Sequence, residues 1–260
     1  MDPLTIHLYR ARLVHGKPFA FYQNDHAEAE SFFRDALALS RELEDQLGVS
    51  HALSNLGCIA IEQARYADAE RLFNESLAIL RRLDDKRNQA RTLSTLGVVA
   101  RARGELARAR VVFEESLSLA RDVGDRYSIS ALLYSLGHVE CEQGNYSLAE
   151  AWLRESATMS QDLDDRDGIA QGLECLARVA VATDSPERGA RMWGAAERMR
   201  EEIGHPMLLN HRPSYNRAVV AARAALGDDA FDRAWNEGRA MPLEDAVKYA
   251  LSGEDRPHRH

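Results

Sequence analysis

Hydrophobic positions recur along this chain with a period of 40 residues. A leucine followed by a small residue returns in register at Leu56-Gly57, Leu96-Gly97, Leu136-Gly137 and Leu176-Ala177. A fixed period of this size is typical of a solenoid of stacked repeats, which offers a binding surface rather than a catalytic pocket. The pattern therefore predicts the broad class of function but not the partner.

The second half of each repeat carries a regular face of small and large residues. A small residue, a large apolar residue four places on and a second small residue three places further come round five times. Their positions are Ala29, Phe33 and Ala36; Ala69, Phe73 and Ser76; Ala109, Phe113 and Ser116; Ala149, Leu153 and Ser156; Gly189, Trp193 and Ala196. Positions three and four apart share one side of a helix, so this face is predicted to pack closely on a neighbouring helix.

Each repeat is predicted to be a pair of helices, named helix A and helix B. In the second repeat, helix A carries Leu53 and Ile59 and helix B carries Phe73 and Leu77, both at helical spacing. Glycines suit the left-handed residue that ends helix A, as at Gly104 and Gly144, whereas Ala64 in the same place is expected to be slightly strained or to adopt another turn geometry. Aspartates before the next helix A are predicted to cap it, at Asp85, Asp125 and Asp165.

These positions resemble the tetratricopeptide repeat (TPR). Large residues of that family correspond to Leu53, Leu93, Leu133 and Leu173. The family's repeat of roughly 34 residues often closes helix B with a proline, where this chain has Arg81, Arg121 and Gln161, so helix B is expected to run on. The resemblance implies an all-α fold, a right-handed α-solenoid of about five antiparallel helix pairs.

The period ends after Gly204, which divides the predicted domains. Residues 1–204 are expected to form the repeat array, with a bent first helix A at Lys17-Pro18. Residues 205–251 are expected to form capping helices that cover the end of the array, and residues 252–260 a disordered tail. The capping helices are predicted from Tyr215 to Leu226 behind a Ser214 cap, through Phe231 and Trp235 behind Asp228 or Asp229, and from Pro242 to about Leu251.

Three C-terminal stretches are similar to the end of large bacterial ATP-dependent regulators, including LuxR-type and antibiotic-regulatory members of the STAND class. They are residues 190–197, 221–227 and 234–240. The resemblance implies a sensor or partner-docking arm that follows a nucleotide-binding switch domain. No phosphate-binding G-x-x-x-x-G-K-[ST] loop and no separate helix-turn-helix occurs in the sequence, so this chain is expected to be the sensor arm alone.

Charge and hydropathy narrow the possible partners. The chain has 33 basic and 41 acidic residues, a net charge of −8, which disfavours binding to duplex phosphates. Its apolar stretches are shorter than the roughly 20 residues needed to span a bilayer, and no signal sequence opens the chain. We expect a cytoplasmic protein with no nucleic-acid or membrane partner.

The candidate chemistry of the sequence is sparse. Cys58, Cys141 and Cys175 lack C-x-x-C spacing and are interpreted as small apolar residues, with a redox-sensing role left open. His205 and His211 form no metal motif, and neither H-E-x-x-H nor Gly-x-Ser-x-Gly occurs. The sequence thus predicts no metal, no cofactor and no enzyme activity.

Partner-binding residues follow from the TPR resemblance, which implies that the A helices line a concave groove. The selected positions are His51, Ser54, Asn55, Cys58, Arg91, Ser94, Arg101, Tyr134, His138, Glu174 and Arg178, with Val98, Cys141 and Gln171 beside them. Their arginines and histidines favour an acidic peptide, a carboxylate or a phosphate-bearing ligand. The alternative is that these arginines pair with Glu or Asp of adjacent repeats. Only Asn55 falls near the Lys/Asn clamp of chaperone-tail-binding relatives, so capture of that type of peptide is not expected.

Three functions remain open from the sequence. The leading hypothesis is a docking or sensor module that captures a protein or peptide segment in the groove. The second is a metabolite sensor that uses the same groove. The third is a self-assembly unit, with homodimers formed through terminal helices around Trp235 and Tyr249.

Overall fold

The computed structural model describes residues 26–207 and 211–252, and these ranges contain twelve helices and no strand. The helices are α1 (His26–Glu42), α2 (Gln46–Glu62), α3 (Tyr66–Arg82), α4 (Lys86–Ala102), α5 (Leu106–Asp122), α6 (Arg126–Gln143), α7 (Tyr146–Asp162), α8 (Arg166–Ala182), α9 (Pro186–Ile203), α10 (Arg212–Leu226), α11 (Asp228–Ala240) and α12 (Leu243–Leu251). They belong to two compact units, unit 1 (residues 1–124) and unit 2 (residues 125–260). The expected bend at Lys17-Pro18 and the tail beyond Ser252 lie outside the described residues.

The predicted all-α fold of antiparallel helix pairs is confirmed. Within each unit, every helix A (α2, α4, α6, α8) packs against the helix B that follows it (α3, α5, α7, α9). The leucine-glycine positions explain the close approach, because a Cβ on Gly97 would lie 2.5 Å from the Phe113 ring and one on Gly57 2.7 Å from the Phe73 ring. Side chains that large fit only where the facing helix has no Cβ.

Aspartate caps begin the A helices. The Asp85 carboxylate accepts a hydrogen bond from the Asn88 amide at 3.1 Å, and Asp125 and Asp165 cap their helices in the same way. The capping predicted for these three residues is therefore confirmed.

The turns from helix A to helix B contain a left-handed residue. Gly104 and Gly144 have φ angles of 77° and 80°, as predicted. Ala64 has a φ of 56°, which confirms the strain expected there, and Asp184 in the corresponding turn before α9 has a φ of 65°.

Replacing Ala64 with glycine is expected to stabilise unit 1 by up to about 1 kcal/mol. Left-handed backbone costs a non-glycine residue about 1–2 kcal/mol, and the extra freedom of glycine in the unfolded chain takes back about half of that gain. Guanidinium unfolding followed by circular dichroism measures the change, with Gly104→Ala as the reverse control that should lose stability. A loss of stability in Ala64→Gly would show that the turn is not strained.

The C-terminal helices differ in detail from the predictions. Helix α10 begins at Arg212 rather than Tyr215, and the Ser214 hydroxyl donates to the His211 carbonyl at 2.9 Å instead of capping the helix. Gly227 ends α10 as predicted, but it is also the N-cap of α11, so Asp228 and Asp229 lie in the first turn, where negative charge favours the helix dipole. Pro242 directly precedes α12, which ends at Leu251 as expected.

These last helices share one apolar core with α8 and α9. The core includes Trp193, Ala222, Phe231 and Val247. The buried guanidinium of Arg188 in α9 donates to the carbonyls of Tyr249, Ala250 and Ser252, so it satisfies acceptors at the end of α12 that have no partner within the helix. The division into domains predicted at residue 204 stays a prediction.

Candidate partner-binding site

In unit 1, four of the predicted groove residues lie together on the A helices. His51, Asn55 and Cys58 are four and three places apart, so they occupy one side of α2. The charge of Arg91 in α4 acts on both His51 and Cys58, which places it beside them. We call these four residues the unit 1 face.

The other groove residues predicted in this unit are placed differently. The Ser54 hydroxyl lies 3.0 Å from that of the buried Ser76 in α3, so it is engaged between two helices. Ser94 and Arg101 are half-buried in α4, and Val98 between them is 36% exposed. The surface available to a partner is therefore narrower than the eleven predicted positions suggest.

Arg91 provides the charge of the unit 1 face. Burial and the charge of Arg91 lower the pKa of His51, so its imidazole is neutral at pH 7. Burial raises the pKa of the Cys58 thiol, which stays protonated. Arg91 itself is exposed, and among the described residues its guanidinium has a hydrogen bond to the Asn88 side-chain oxygen alone, at 3.4 Å.

Arg91 differs from other arginines of unit 1 that form ion pairs. Arg81 pairs with Glu115 at 2.7 Å and Arg103 pairs with Glu70 at 2.6 Å. Among the described residues, no carboxylate lies within 4 Å of Arg91. The sequence left open whether the groove arginines pair with acids of adjacent repeats. At Arg91 no such ion pair forms among the described residues.

In unit 2, the A helices α6 and α8 bring together Tyr134, His138, Glu174 and Arg178. These residues line a small cavity of about 10 Å³, which has room for no more than about one water molecule. The same cavity is lined by Cys175 and by three residues that follow the repeats, Met207, His211 and Tyr215. The predicted groove positions of unit 2 are thus covered by the chain itself, whereas in the unit 1 face Arg91 is exposed and the other three residues are half-buried.

A chain of polar contacts runs beneath this cover. A guanidinium nitrogen of Arg178 lies 3.3 Å from Nε2 of His138, which is 3% exposed. Because arginine can only donate, Nε2 must accept, and the neutral imidazole then carries its proton on Nδ1. That proton faces the Glu142 carboxylate, 3.3 Å away.

Glu174 belongs to an ion-pair network rather than to an open groove. Its buried carboxylate pairs with Arg200 at 2.9 Å, and Arg200 also binds Asp167. Burial raises the pKa of Glu174 above its usual value, although the hydrogen bond from Arg200 opposes this.

Sequence reasoning missed two features of this region. Met207, His211 and Tyr215 come after the periodic part of the chain, so the repeat pattern gives no signal for them. The free thiols of Cys141 and Cys175 lie close together, and the hydrogen bond with the Cys175 thiol lowers the pKa of the Cys141 thiol to about 7. Their positions do not differ by the 40-residue step between adjacent A helices, so the period gave no signal for this contact.

Two further searches bear on the chemistry of the site. Within the described residues, no group of three or more His, Cys, Asp or Glu side chains could hold a metal ion. Over the same ranges, none of the helices has the length and apolar character needed to cross a membrane.

The fold defines a TPR-like repeat protein built from antiparallel helix pairs. The chain belongs to the family described as the MalT-like TPR region, whose model matches residues 10–251. Two mycobacterial relatives bear the name "Putative HTH-type transcriptional regulator", Mb0914c of Mycobacterium bovis and Rv0890c of Mycobacterium tuberculosis. Each is 37% identical over 81 residues, which is 31% of this chain but only 9% of the relative.

Solved structures share the fold. BtubC from P. vanneervenii superposes with a TM-score of 0.64 at 14% identity, over 92% of this chain and 96% of that one. A kinesin light chain-type protein of Podosopora anserina with TPR-like repeats has a TM-score of 0.57 at 13% identity, over 76% of this chain and 93% of that one. At such low identity the likeness concerns the fold alone.

Proposed function

We propose that this chain is a non-catalytic docking module that captures an acidic protein segment on the unit 1 face. We further propose that it works as the sensor arm of a cytoplasmic bacterial transcription regulator. Membership of the MalT-like TPR family and the relatives named as HTH-type regulators support this setting. Stacked helix pairs provide a long preformed surface, which lowers the entropic cost of binding an extended segment.

The observation that carries the proposal is the state of Arg91. It is an exposed guanidinium with no carboxylate within 4 Å among the described residues, in a chain with a net charge of −8. Guanidinium groups bind carboxylates through paired charge-assisted hydrogen bonds. Arg91 therefore offers an unused anchor for an aspartate or glutamate of a partner, and the neutral His51 and Asn55 beside it offer further polar contacts.

Arg91→Glu is expected to weaken the capture of an acidic peptide by at least tenfold. Hydrogen bonds to charged groups contribute about 1.5–3 kcal/mol, and the substitution adds repulsion to the lost contact. The measurement is the fluorescence anisotropy of labelled acidic peptides, selected on an array with the wild-type chain. Their affinity should also fall with added salt.

Arg71→Glu is the matched control. Arg71 is exposed on α3, the neighbouring helix B, and its replacement changes the net charge by the same amount. It should leave peptide affinity nearly unchanged, and both variants should unfold like the wild type. An equal loss of affinity in the two variants would mean that the change in net charge causes it, and this would contradict a binding site at Arg91.

Metabolite sensing is the second candidate function, because polar side chains converge on the small cavity of unit 2, which at about 10 Å³ would have to widen to admit a metabolite. The polar groups of that cavity already contact one another, as Arg178 does His138 and Tyr134 does His211. We therefore rank peptide docking first. Self-assembly through the terminal helices stays a prediction.

A further inference from the structure

The covered groove of unit 2 is held by a short C-terminal segment. We call this segment the latch and define it by its described residues 205–207 and 211–215. His211 stacks at 5.0 Å on the His138 ring, and its Nδ1 lies 3.4 Å from the Tyr134 hydroxyl. Tyr215 packs edge-on against Trp193 with ring centroids 5.5 Å apart.

Each of the two aromatic side chains of the latch, His211 and Tyr215, packs against a defined set of residues, which we call its seat. The Tyr215 seat is apolar, since burial raises the pKa of its hydroxyl and Trp193 beside it is only 1% exposed. The His211 seat consists of Tyr134 and His138, two positions that the TPR resemblance assigns to partner binding. The latch therefore contacts the residues that a bound segment would contact.

At its start the latch is held by His205, whose ring lies 2.8 Å from the Asp167 carboxylate, but its α10 side is weakly anchored. Helix α10, which begins within it, has 15 residues and only one of them, Ala222, is buried. The next helix, α11, buries Phe231, Ala234 and Gly238 in 13 residues and packs tightly on α9. Segments with few buried contacts open at low free-energy cost, so the latch can leave its seats while α11 stays docked.

We propose that the A-helix face of unit 2 is a second docking surface and that the latch is its resident occupant. The partner it fits is a protein segment that presents a histidine and a tyrosine one helical turn apart, as the latch does with His211 and Tyr215. The segment enters when the latch leaves. This inference deepens the proposed function, because it assigns a different partner chemistry to a second surface.

The energetic consequence is competition within one molecule. A tethered occupant acts at an effective concentration of about millimolar, so a partner binds only to the fraction of molecules whose latch is open. Weakening the latch must therefore tighten the binding of a competing segment in proportion to the open fraction. A purely structural segment would not produce this gain.

Cys175 reports whether the latch is open. Cys175 lines the cavity under the latch and is 2% exposed. Cys58 in unit 1 is half-buried and distant in sequence from the latch, so it serves as the internal control. Labelling by N-ethylmaleimide, read at each cysteine by mass spectrometry, should be slow at Cys175 in the wild type. In His211→Ala it should become several times faster, while the rate at Cys58 stays unchanged.

Two controls separate opening of the latch from unfolding. Asn216→Ala alters an exposed residue of α10 next to Tyr215 and should label like the wild type. Circular dichroism should show the same helix content in all variants. Tyr215→Ala is a second variant that should open the latch. If it lowers the helix content, the test of latch opening uses His211→Ala, which alters only the edge of the cavity.

A peptide in trans completes the experiment. A fluorescein-labelled synthetic peptide with the sequence of residues 205–217 should bind His211→Ala at least tenfold more tightly than it binds the wild type. The same peptide with both the histidine and the tyrosine replaced by alanine should not bind either protein. Equal binding to the wild type and His211→Ala, or no binding to His211→Ala, would overturn the inference.

The labelling and peptide-binding results are expected not to depend on the unit 1 face. Arg91→Glu should leave both the Cys175 labelling rate and the binding of this peptide unchanged. One outcome is that acidic peptides fail to bind at Arg91 while the peptide of residues 205–217 competes as described. That result would support the second docking surface and would contradict the proposed acidic partner. The reverse result removes the second surface alone.

Discussion

Gly238→Ala is expected to separate α11 from α9 and to destabilise unit 2 by about 3 kcal/mol or more. A Cβ on Gly238 would overlap the carbonyl oxygen of Arg191 and would lie 2.7 Å from its carbonyl carbon. A Cβ on Gly194 meets the backbone of Trp235 in the same way. The obstacle is backbone rather than a flexible side chain, so the helices themselves must move apart and Phe231 loses its packing.

Tryptophan fluorescence measures this effect in the right part of the chain, because all three tryptophans, Trp152, Trp193 and Trp235, belong to unit 2. Gly238→Ala should shift the denaturant midpoint of the fluorescence transition to a lower concentration. Gly172→Ala is the matched control, since its Cβ would lie 3.5 Å from that of Ala157, an ordinary contact. This control should be neutral or stabilising, because alanine favours a helix interior over glycine. Equal behaviour of the two variants would mean that the crossing of α9 and α11 is not close.

Arg200→Met is expected to cost unit 2 about 3–5 kcal/mol, because it leaves the buried Glu174 carboxylate without its partner. Both side chains of this pair are only 9% exposed, and Arg200 also binds Asp167. Methionine retains most of the apolar stem, so the loss is mainly electrostatic. The measurement is again the denaturant midpoint of tryptophan fluorescence.

The pH dependence of this variant follows from the sign of the pKa shift. Burial already raises the pKa of Glu174, and the loss of Arg200 removes the interaction that opposes the increase. A carboxyl group with a raised pKa in the folded state stabilises the fold below its unfolded pKa, and that stability is lost as pH rises through the folded pKa. The deficit of Arg200→Met should therefore be largest at neutral pH and should shrink as the solution is acidified toward the ordinary range of a glutamate.

The double variant Arg200→Met, Glu174→Gln tests the cause. It removes the unpaired charge, so it should regain much of the lost stability at pH 7 and lose the pH dependence. A double variant that is no more stable than Arg200→Met would assign the loss to packing instead.

Much of the fold could be read from the sequence because its signals are local or periodic. The spacing of Gly97 and Phe113 predicts the helix crossing. Asp85, Asp125 and Asp165 predict where the A helices begin. The left-handed turns at Gly104 and Gly144 follow from backbone sterics that involve few neighbours. Each of these features depends on residues within one repeat, where short-range physics decides the outcome.

The candidate site was predicted less completely. The unit 1 face could be selected from the A-helix pattern, but the lack of an acidic partner at Arg91 could not. Arg81 and Arg103 are also surface arginines, and only distances to carboxylates on other helices distinguish them from Arg91. Ion pairing depends on which helices are neighbours and on how their side chains are directed.

The sequence by itself determined the helix pairs, their 40-residue period and the positions that face a groove, because a repeated pattern requires a repeated packing. The tertiary structure alone decided which of those positions are open. It placed His211 over Tyr134 and His138, it paired Glu174 with Arg200, and it brought the free thiols of Cys141 and Cys175 together. These pairs are separated by 26 to 77 residues, and nothing local in either partner specifies the other, since side chains so distant in sequence meet only when the whole chain has packed.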